Sequence, residues 1–305
     1  MLINICVCTF KRPRLLQSCL KSLERMERPE QSEGIRFAVT VIDNDSGGTA
    51  REVVNNFIDR VDISVVYQVE EKRGIPCARN RALAVTREMQ AEMVVFIDDD
   101  ERVRPDWLVC LLGASQRYGH RAAVHGLVMP QLSDSVSADV AGLFTPRVRT
   151  EGQLLSACAT DNVMVPMAFI NSHKLRFDES RPLAGGTDTI FFTQARRKGL
   201  EIYQTNRAVV EETIPESRAN LKWLIRRKFR AGLTDAWRKM QKGQSRSRLV
   251  ISAISHILVF MMKAFAFAAM MSGLKRNESL LGIAKYTGIL MGCFNFKVDS
   301  YKVVD

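Results

Sequence analysis

The first 130 residues alternate between two hydrophobic periods, and few folds tolerate that pattern. Leu2–Cys8 is a short apolar run. Pro13–Met26 follows, with Leu15, Leu16, Cys19, Leu20, Leu23 and Met26 spaced along one helical face. The same spacing predicts strands at Phe37–Ile42, Ile63–Val69, Met93–Ile97 and Ala122–Met129, and helices at Thr49–Ile58, Pro76–Glu88 and Pro105–Tyr118. Strands that alternate with helices form βαβ units, so a parallel sheet covered by helices on both faces is expected. Such sheets bind ligands beyond the C-terminal ends of their strands.

The segments at those ends are Thr9-Phe10-Lys11-Arg12, Asp43-Asn44-Asp45-Ser46-Gly47-Gly48 and Asp98-Asp99-Asp100-Glu101. Four consecutive acids repel one another. Either they are a solvated loop or a cation neutralises them, and their place at a strand end favours the cation. Hard divalent ions take carboxylate oxygens and keep positions open for phosphate. Lys11, Arg12, Lys72 and Arg73 flank the same region and are either diphosphate contacts or solvated loop charge. Asp188 follows Gly185-Gly186-Thr187 and opens a helix through Thr189–Lys198, so it is either an N-terminal capping residue or a general base. Asp134–Thr150 reads as a loop, Cys158–Pro166 and Leu200–Gln204 as strands. His120, His125, His173 and His256 form no cluster and read as packing or surface residues.

Charge separates the rest of the chain from this domain. The sequence has 44 Lys+Arg against 33 Asp+Glu, a net +11. Residues 222–248 hold ten bases and the single acid Asp235, a local +9, with Trp223, Leu224, Phe229, Leu233 and Trp237 interleaved. An anionic partner is implied. Nucleic acid would explain these bases but not acids gathered at strand ends, which repel phosphate. Leu249–Met271 and Ser279–Phe296 then follow as apolar segments. Inside the first, Ser252, Ser255, His256 and Lys263 share an arc of about 100°, the pattern of a helix lying in a membrane interface behind a basic segment. A spanning hairpin is the second reading and a soluble lid or homodimer interface the third. Gly288 and Gly292, four apart, permit close helix packing. Seven cysteines without a C-x-x-C pair fit a reducing cytosolic compartment, and the apolar-then-basic N-terminus does not read as a secretory signal. Three regions are therefore expected: 1–215, a catalytic domain; 216–248, a basic amphipathic helical segment; and 249–305, an apolar helical hairpin and tail.

The ordered motifs V-C-T-F-K-R-P, V-I-D-N-D-S, K-R-G-I-P-C-A-R-N-R-A-L, F-I-D-D-D-E-R-V-R-P-D-W-L, G-G-T-D-T-I-F-F and I-P-E-S-R-A, spread over residues 3 to 240, resemble glycosyltransferase family 2, most of all its succinoglycan-type bacterial exopolysaccharide glucosyltransferases. The resemblance implies a GT-A fold, a Rossmann-like and mostly parallel α/β sheet between helices. It implies a metal-dependent transferase that inverts the sugar, using Mn²⁺ or Mg²⁺ and a UDP-sugar, UDP-glucose foremost. The acceptor implied is a polyprenyl-diphosphate-linked oligosaccharide at the cytoplasmic face of the inner membrane, with an anionic membrane surface as partner and no nucleic acid.

Carried over by motif, Thr9 and Asp43 meet the base and ribose, and Arg79 and Arg12 approach the nucleotide. Asp98 and Asp99 lie nearer the ribose and Asp100 ligates the metal. Asp188 is the base, and Arg218 faces acceptor or diphosphate. Two positions depart from the pattern. Thr187 stands where the family commonly has Glu, at the acceptor, and Glu211 stands where relatives often have a metal-binding His; Glu also binds Mg²⁺ or Mn²⁺. These departures leave a weakened or non-catalytic scaffold of the same fold as the competing reading.

Overall fold

The computed structural model describes residues 1–28, 34–146, 148–180, 182–183, 185–241 and 243–296. By contact they form two compact units. The first comprises Met1–Pro130, Pro146–Pro182 and Thr187–Thr213; the second comprises Gln131–Thr145, Leu183–Gly186 and the chain from Ile214.

The first unit is built on a sheet. Strands β1 (Leu2–Thr9), β2 (Arg36–Asp43), β3 (Ser64–Val69) and β4 (Met93–Asp98) alternate with helices α1 (Pro13–Glu24), α2 (Arg51–Ile58) and α3 (Ile75–Glu88). All adjacent pairs among these four strands are parallel. Then come β5 (Glu101–Val103), α4 (Trp107–Arg117), β6 (Ala123–Gln131), β7 (Val163–Pro166), α6 (Met167–Ser172), α7 (Thr187–Arg197) and β8 (Ile202–Thr213), with the short α5 (Ala138–Ala141) belonging to the second unit. The strand order is β3-β2-β1-β4-β7-β6-β8-β5.

The expected parallel sheet is therefore its β1–β4 half. Across β4 the sheet changes hand: β7 runs antiparallel to β4 and to β6, and β5 antiparallel to β8. Three-residue β5 and the 12-residue reach of β8 escape a reading by apolar period, because β5 consists of Glu101-Arg102-Val103 and β8 ends in Glu211-Glu212-Thr213. Pairing of these two charged ends, rather than burial, fixes them as strands.

Apolar residues cover both faces of the sheet. Ile3, Ile5, Val7, Val39, Val41, Val95 and Ile97 pack with α1, α2 and α4 through Leu16, Leu20, Phe57, Trp107 and Leu111. Cys6, Ile42, Val94 and Phe96 pack on the other side with α3 and α7 through Ala82, Leu83, Phe191 and Phe192. Phe177 stacks on Phe191, centroids 4.2 Å apart. A buried polar triad crosses this core: Thr40 Oγ1 donates to Asn4 Oδ1 (2.8 Å), and Asn4 Nδ2 donates to Thr86 Oγ1 (2.8 Å). The alternating period has thus set every strand end on one edge, where Thr9 pairs with Asp43 and Cys8 with Asp98.

The second unit is helical. Helices α8 (Leu221–Gln241), α9 (Arg246–Ala269) and α10 (Gly273–Cys293) follow one another, and α10 packs on both α8 and α9. Here residues 138–144, expected as loop, form α5 and a 3-10 turn (Gly142–Phe144), because Val140, Leu143 and Phe144 find an apolar cluster with Ile214, Leu224 and Leu281. Gly288 and Gly292 do pack closely, and their partner is α8. A Cβ on Gly288 would strike the Phe229 carbonyl, and one on Gly232 the Lys285 carbonyl. Asp235 sits in this crossing, 2.7 Å from Arg238 and 3.6 Å from Lys285.

Candidate active site

Three strand ends and one helix start build the site, all in the first unit. Thr9, last in β1, is 4% exposed and donates to Asp99 Oδ2 at 2.7 Å. Arg12 stands just before α1, where Pro13 fixes the first turn. Its Nη1 lies 3.3 Å from both Asp99 Oδ1 and Asp100 Oδ2, so one guanidinium bridges two carboxylates. Arg79, buried on α3, reaches two ways: Nη2 lies 3.7 Å from Asp98 Oδ1, and Nη1 donates to Thr187 Oγ1 at 3.5 Å. Residues 79, 98 and 187, far apart in sequence, thereby meet, and Asp188 is the next residue on α7. Asp188 Oδ1 accepts from the Thr189 amide (2.7 Å). It lies inside the helix's first turn rather than at the cap.

The acids are under electrostatic stress. Burial pushes the Asp99 carboxyl up to about 6, with Asp100 adding repulsion and Arg12 and Thr9 opposing it. Asp98 keeps 46% of its side-chain surface open. The protein dense around it still pushes its carboxyl up, first by desolvation and then through Asp100, Asp161 and Asp99, with Arg79 opposing. Glu101, fourth in the run, is different. It is 1% exposed and accepts from the Asp98 amide at 2.8 Å, so it closes the turn rather than facing the site.

Asp43 is also turned inward. It is 0% exposed; Oδ1 accepts from the Asp45 amide (3.1 Å), and Oδ2 from the Ala50 amide (2.8 Å) and the Tyr67 hydroxyl (2.9 Å). Next to it, Asn44 ties the loop after β2 to the loop before α3 by donating to the Glu70 and Lys72 carbonyls (2.9 Å each) and accepting from the Gly74 amide (2.7 Å). Only a turn-residue reading of Asx chemistry could have found Asn44 in sequence.

The site is thus a parallel half-sheet with acids at one strand end, and Arg12 and Arg79 in contact with them. The model of "Glycosyl transferase family 2" matches residues 4–163, more than half the chain. The chain belongs to glycosyltransferase family 2. It is 30% identical over 303 residues to succinoglycan biosynthesis protein ExoM of Rhizobium meliloti (strain 1021), covering 98% of this chain and 95% of that protein. Among solved structures, mannosyltransferase PcManGT from Pyrobaculum calidifontis, in complex with GDP-Man and Mn²⁺, superposes with a TM-score of 0.62 at 15% identity, covering 93% of this chain and 86% of that one. TarS 1–349 of S. aureus in complex with UDP-GlcNAc gives 0.55 at 13% identity, covering 92% and 90%. At such identities these two show the fold, which is GT-A.

Within this family 2 chain, most motif residues converge. Thr9, Arg12, Arg79, Asp98, Asp99, Asp100 and Thr187 are joined by direct contacts, with Asp188 adjoining. Two further motif residues are engaged within the fold. Asp43 is buried, and its carboxylate holds the loop at 45–50. Glu211, implied as a metal ligand, faces Arg102 Nη2 (3.6 Å) and Arg104 Nε (3.5 Å), because β8 pairs it with Arg102 on β5. Arg218 belongs to the second unit, where its guanidinium lies 5.9 Å from the Trp223 ring centroid.

A divalent ion fits the remaining acids. Among the described residues no three His, Cys, Asp or Glu side chains form a ready cage. Mg²⁺-type sites need only one or two carboxylates, with substrate phosphate supplying other oxygens. Asp99 and Asp100 lie buried side by side at the strand end, and adjacent carboxylates of this kind supply the hard oxygen donors that such an ion takes. The thiols beside the site are held in the protonated form by burial. Cys6, buried, is pushed up to about 12 by desolvation, and Cys8 and Cys19 rise for the same cause. Missed in sequence were His125 and Asp161, which the apolar period of β6 and β7 conceals.

Proposed function

We propose that this chain transfers a sugar, glucose from UDP-glucose foremost, with inversion onto a polyprenyl-diphosphate-linked oligosaccharide during bacterial exopolysaccharide synthesis. One observation carries the reading: Arg79 couples the strand-end acid Asp98 to Thr187, and so sets the Asp188 carboxylate beside the acids where a nucleotide diphosphate would sit. ExoM supports the pathway by its printed role in succinoglycan biosynthesis. The nucleotide sugars in PcManGT and TarS support a donor of that class.

Asp100, with Asp99 next to it, would hold Mn²⁺ or Mg²⁺, which when bound neutralises charge developing on the leaving diphosphate. Thr9 and Arg12 keep Asp99 oriented. Arg79, permanently charged, offsets repulsion among the acids and adds positive charge near the leaving group. Asp43 acts indirectly, by fixing the loop at 45–50 under the nucleotide. Asp188 has Oδ1 engaged by its own helix and Oδ2 to take the proton of an acceptor hydroxyl. As that oxygen bonds to the anomeric carbon, the bond from this carbon to the diphosphate oxygen breaks, and attack from the opposite face inverts the centre. Glu211, paired to two arginines, needs no part in this scheme.

The second unit serves as a membrane foot. Helix α9, 24 residues and about 36 Å long, is the described helix long and apolar enough to cross a membrane. Leu249 and Ala253 are buried, and His256 stacks on Tyr286 of α10 (4.1 Å). Opposite that packed face Ile251, Ile254, Leu258, Met261, Met262 and Phe265 are 45–80% exposed, within an arc of about 100°. Ser252, Ser255 and Lys263 flank the stripe. An apolar stripe beside polar residues, following the basic residues of α8, suits insertion to headgroup depth at the anionic cytoplasmic face better than full spanning. Nucleic-acid stacking is less well served, since Arg227 already covers Trp223 at 5.2 Å.

The test is a panel of nucleotide sugars assayed for Mn²⁺-dependent UDP release with purified full-length chain. Release from a UDP-sugar, abolished by EDTA, is expected. Metal-dependent UDP binding without turnover on any acceptor would favour the scaffold reading instead.

A further inference from the structure

The segment entering β7 brings a second carboxylate to the site. Strand β7 pairs Val163 with Phe96 of β4 in antiparallel register, so Asp161 lies two residues before this pair on one chain segment and Asp98 two residues after it on the other. Asp161 is accordingly one of the charges that raise Asp98, and Glu101 as well. The buried thiol of Cys158 feels both Asp161 and Asp188. Asp161 therefore lies within electrostatic reach of the strand-end acids.

Its side chain is held from behind. His125 Nε2 lies 3.1 Å from Asp161 Oδ1. The other ring nitrogen, Nδ1, lies 3.3 Å from Gln204 Oε1. Gln204 is itself fixed: its amide donates to the Gly126 and Thr205 carbonyls (3.0 Å each), and its Oε1 accepts from Arg149 Nη1 (3.0 Å). The two nitrogens of the buried ring thus face Asp161 Oδ1 and Gln204 Oε1, and the neutral ring can donate at Nε2 to the carboxylate. Asp161 retains 34% side-chain exposure, and no hydrogen bond engages its Oδ2 among the described residues. A relay of Arg149, Gln204 and His125 that ends on a half-open carboxylate has no evident use in the sheet core. The adjoining Thr160 hydroxyl, 1% exposed and without a partner, leaves further bonding capacity in this segment unspent.

Inverting attack requires one acceptor hydroxyl to be deprotonated and the sugar ring that bears it to be held in place. Asp188 can do the first. Thr187, 5% exposed and accepting from Arg79, offers an acceptor sugar little surface for the second. We propose that Asp161 is the acceptor-binding carboxylate of this site: Oδ1 is held by His125, and Oδ2 accepts a hydrogen bond from a hydroxyl of the acceptor sugar. His125 is its positioning residue. This rests on the transferase reading given above.

The test uses full-length protein, UDP-glucose, Mn²⁺ and a detergent-solubilised lipid-oligosaccharide extract of bacterial membranes as acceptor, with acceptor-free UDP release measured in parallel. Asp161→Asn should lower kcat/KM for acceptor by about 10–100-fold, the worth of a hydrogen bond to a charged group, chiefly through KM. Binding of UDP-glucose should be retained and should fall less than acceptor affinity, which also reports that the variant is folded. His125→Gln, which keeps a donor beside Asp161, should retain most transfer, whereas His125→Phe should match Asp161→Asn. An unchanged acceptor KM in Asp161→Asn overturns the proposal. Loss of UDP-glucose affinity relative to UDP also overturns it, by moving the contact to the donor sugar. If the wild-type protein binds no UDP-sugar, the transferase reading itself falls, and this proposal with it.

Discussion

The two units break the ordinary rule of burial in opposite senses. In the sheet unit, the Asp99 and Asp100 side chains keep 6% and 9% of their surface exposed, with Arg12 bridging the two. In the helical unit, Phe265 is 80% and Met262 64% exposed. Acids are seldom buried unless paired, and contiguous apolar surface is seldom left open. Under the proposed function, the first exception is where a cation with phosphate would bind and the second is the surface that would meet lipid. The difference teaches that chemistry and location are assigned to separate parts of the chain, so each can be damaged without the other.

Asp188→Asn should break the sheet side most sharply, lowering kcat by about 10²–10⁴-fold as for loss of a general base. UDP affinity and vesicle binding should remain, and titration of both beside turnover would show whether Asp188 is base or structure. Phe265→Asp should do the reverse. Burying a Phe is worth about 1.5–3 kcal/mol, so sedimentation with vesicles rich in anionic lipid should weaken by at least about tenfold, while UDP release without acceptor persists. If instead the variant changes from dimer to monomer in detergent-free buffer, the stripe is a homodimer interface.

Gly288→Val would force α8 and α10 apart at the Phe229 carbonyl, at a cost of about 1–3 kcal/mol as for overpacking. A fall in melting temperature with UDP affinity retained would show that the helical unit yields alone. The smallest effect belongs to the buried triad. Thr40→Val removes one donor to Asn4 and should cost about 1–2 kcal/mol in chemical denaturation, with transfer activity intact at low denaturant.

Much of this was legible in the chain itself. The alternating periods of β1–β4 and α1–α3 are strong because both sheet faces are covered, and they locate the strand ends where Thr9, Asp43 and Asp98 lie. Motif order then supplied Arg79, Asp100 and Asp188. What stayed hidden depends on pairing rather than period. β5 is too short and too charged to read. The pairing of Glu211 with Arg102 follows from the register of β8 on β5. The three donors to the Asp43 carboxylate come from a folded loop and from Tyr67 on β3. His125 looked like an isolated packing residue, since nothing local links it to an aspartate 36 positions later. Glu101 continued the run of acids, yet its side chain folds back on the Asp98 amide.

The central claim is that the strand-end acids hold a metal–nucleotide complex. Calorimetric titration of UDP in the presence and absence of Mn²⁺, on wild type and Asp100→Asn, tests it directly. The account predicts binding only with Mn²⁺ in the wild type, weakened by at least about tenfold in Asp100→Asn, the loss expected for a charged contact. UDP binding that is equal with and without metal, and equal in the two proteins, would contradict it.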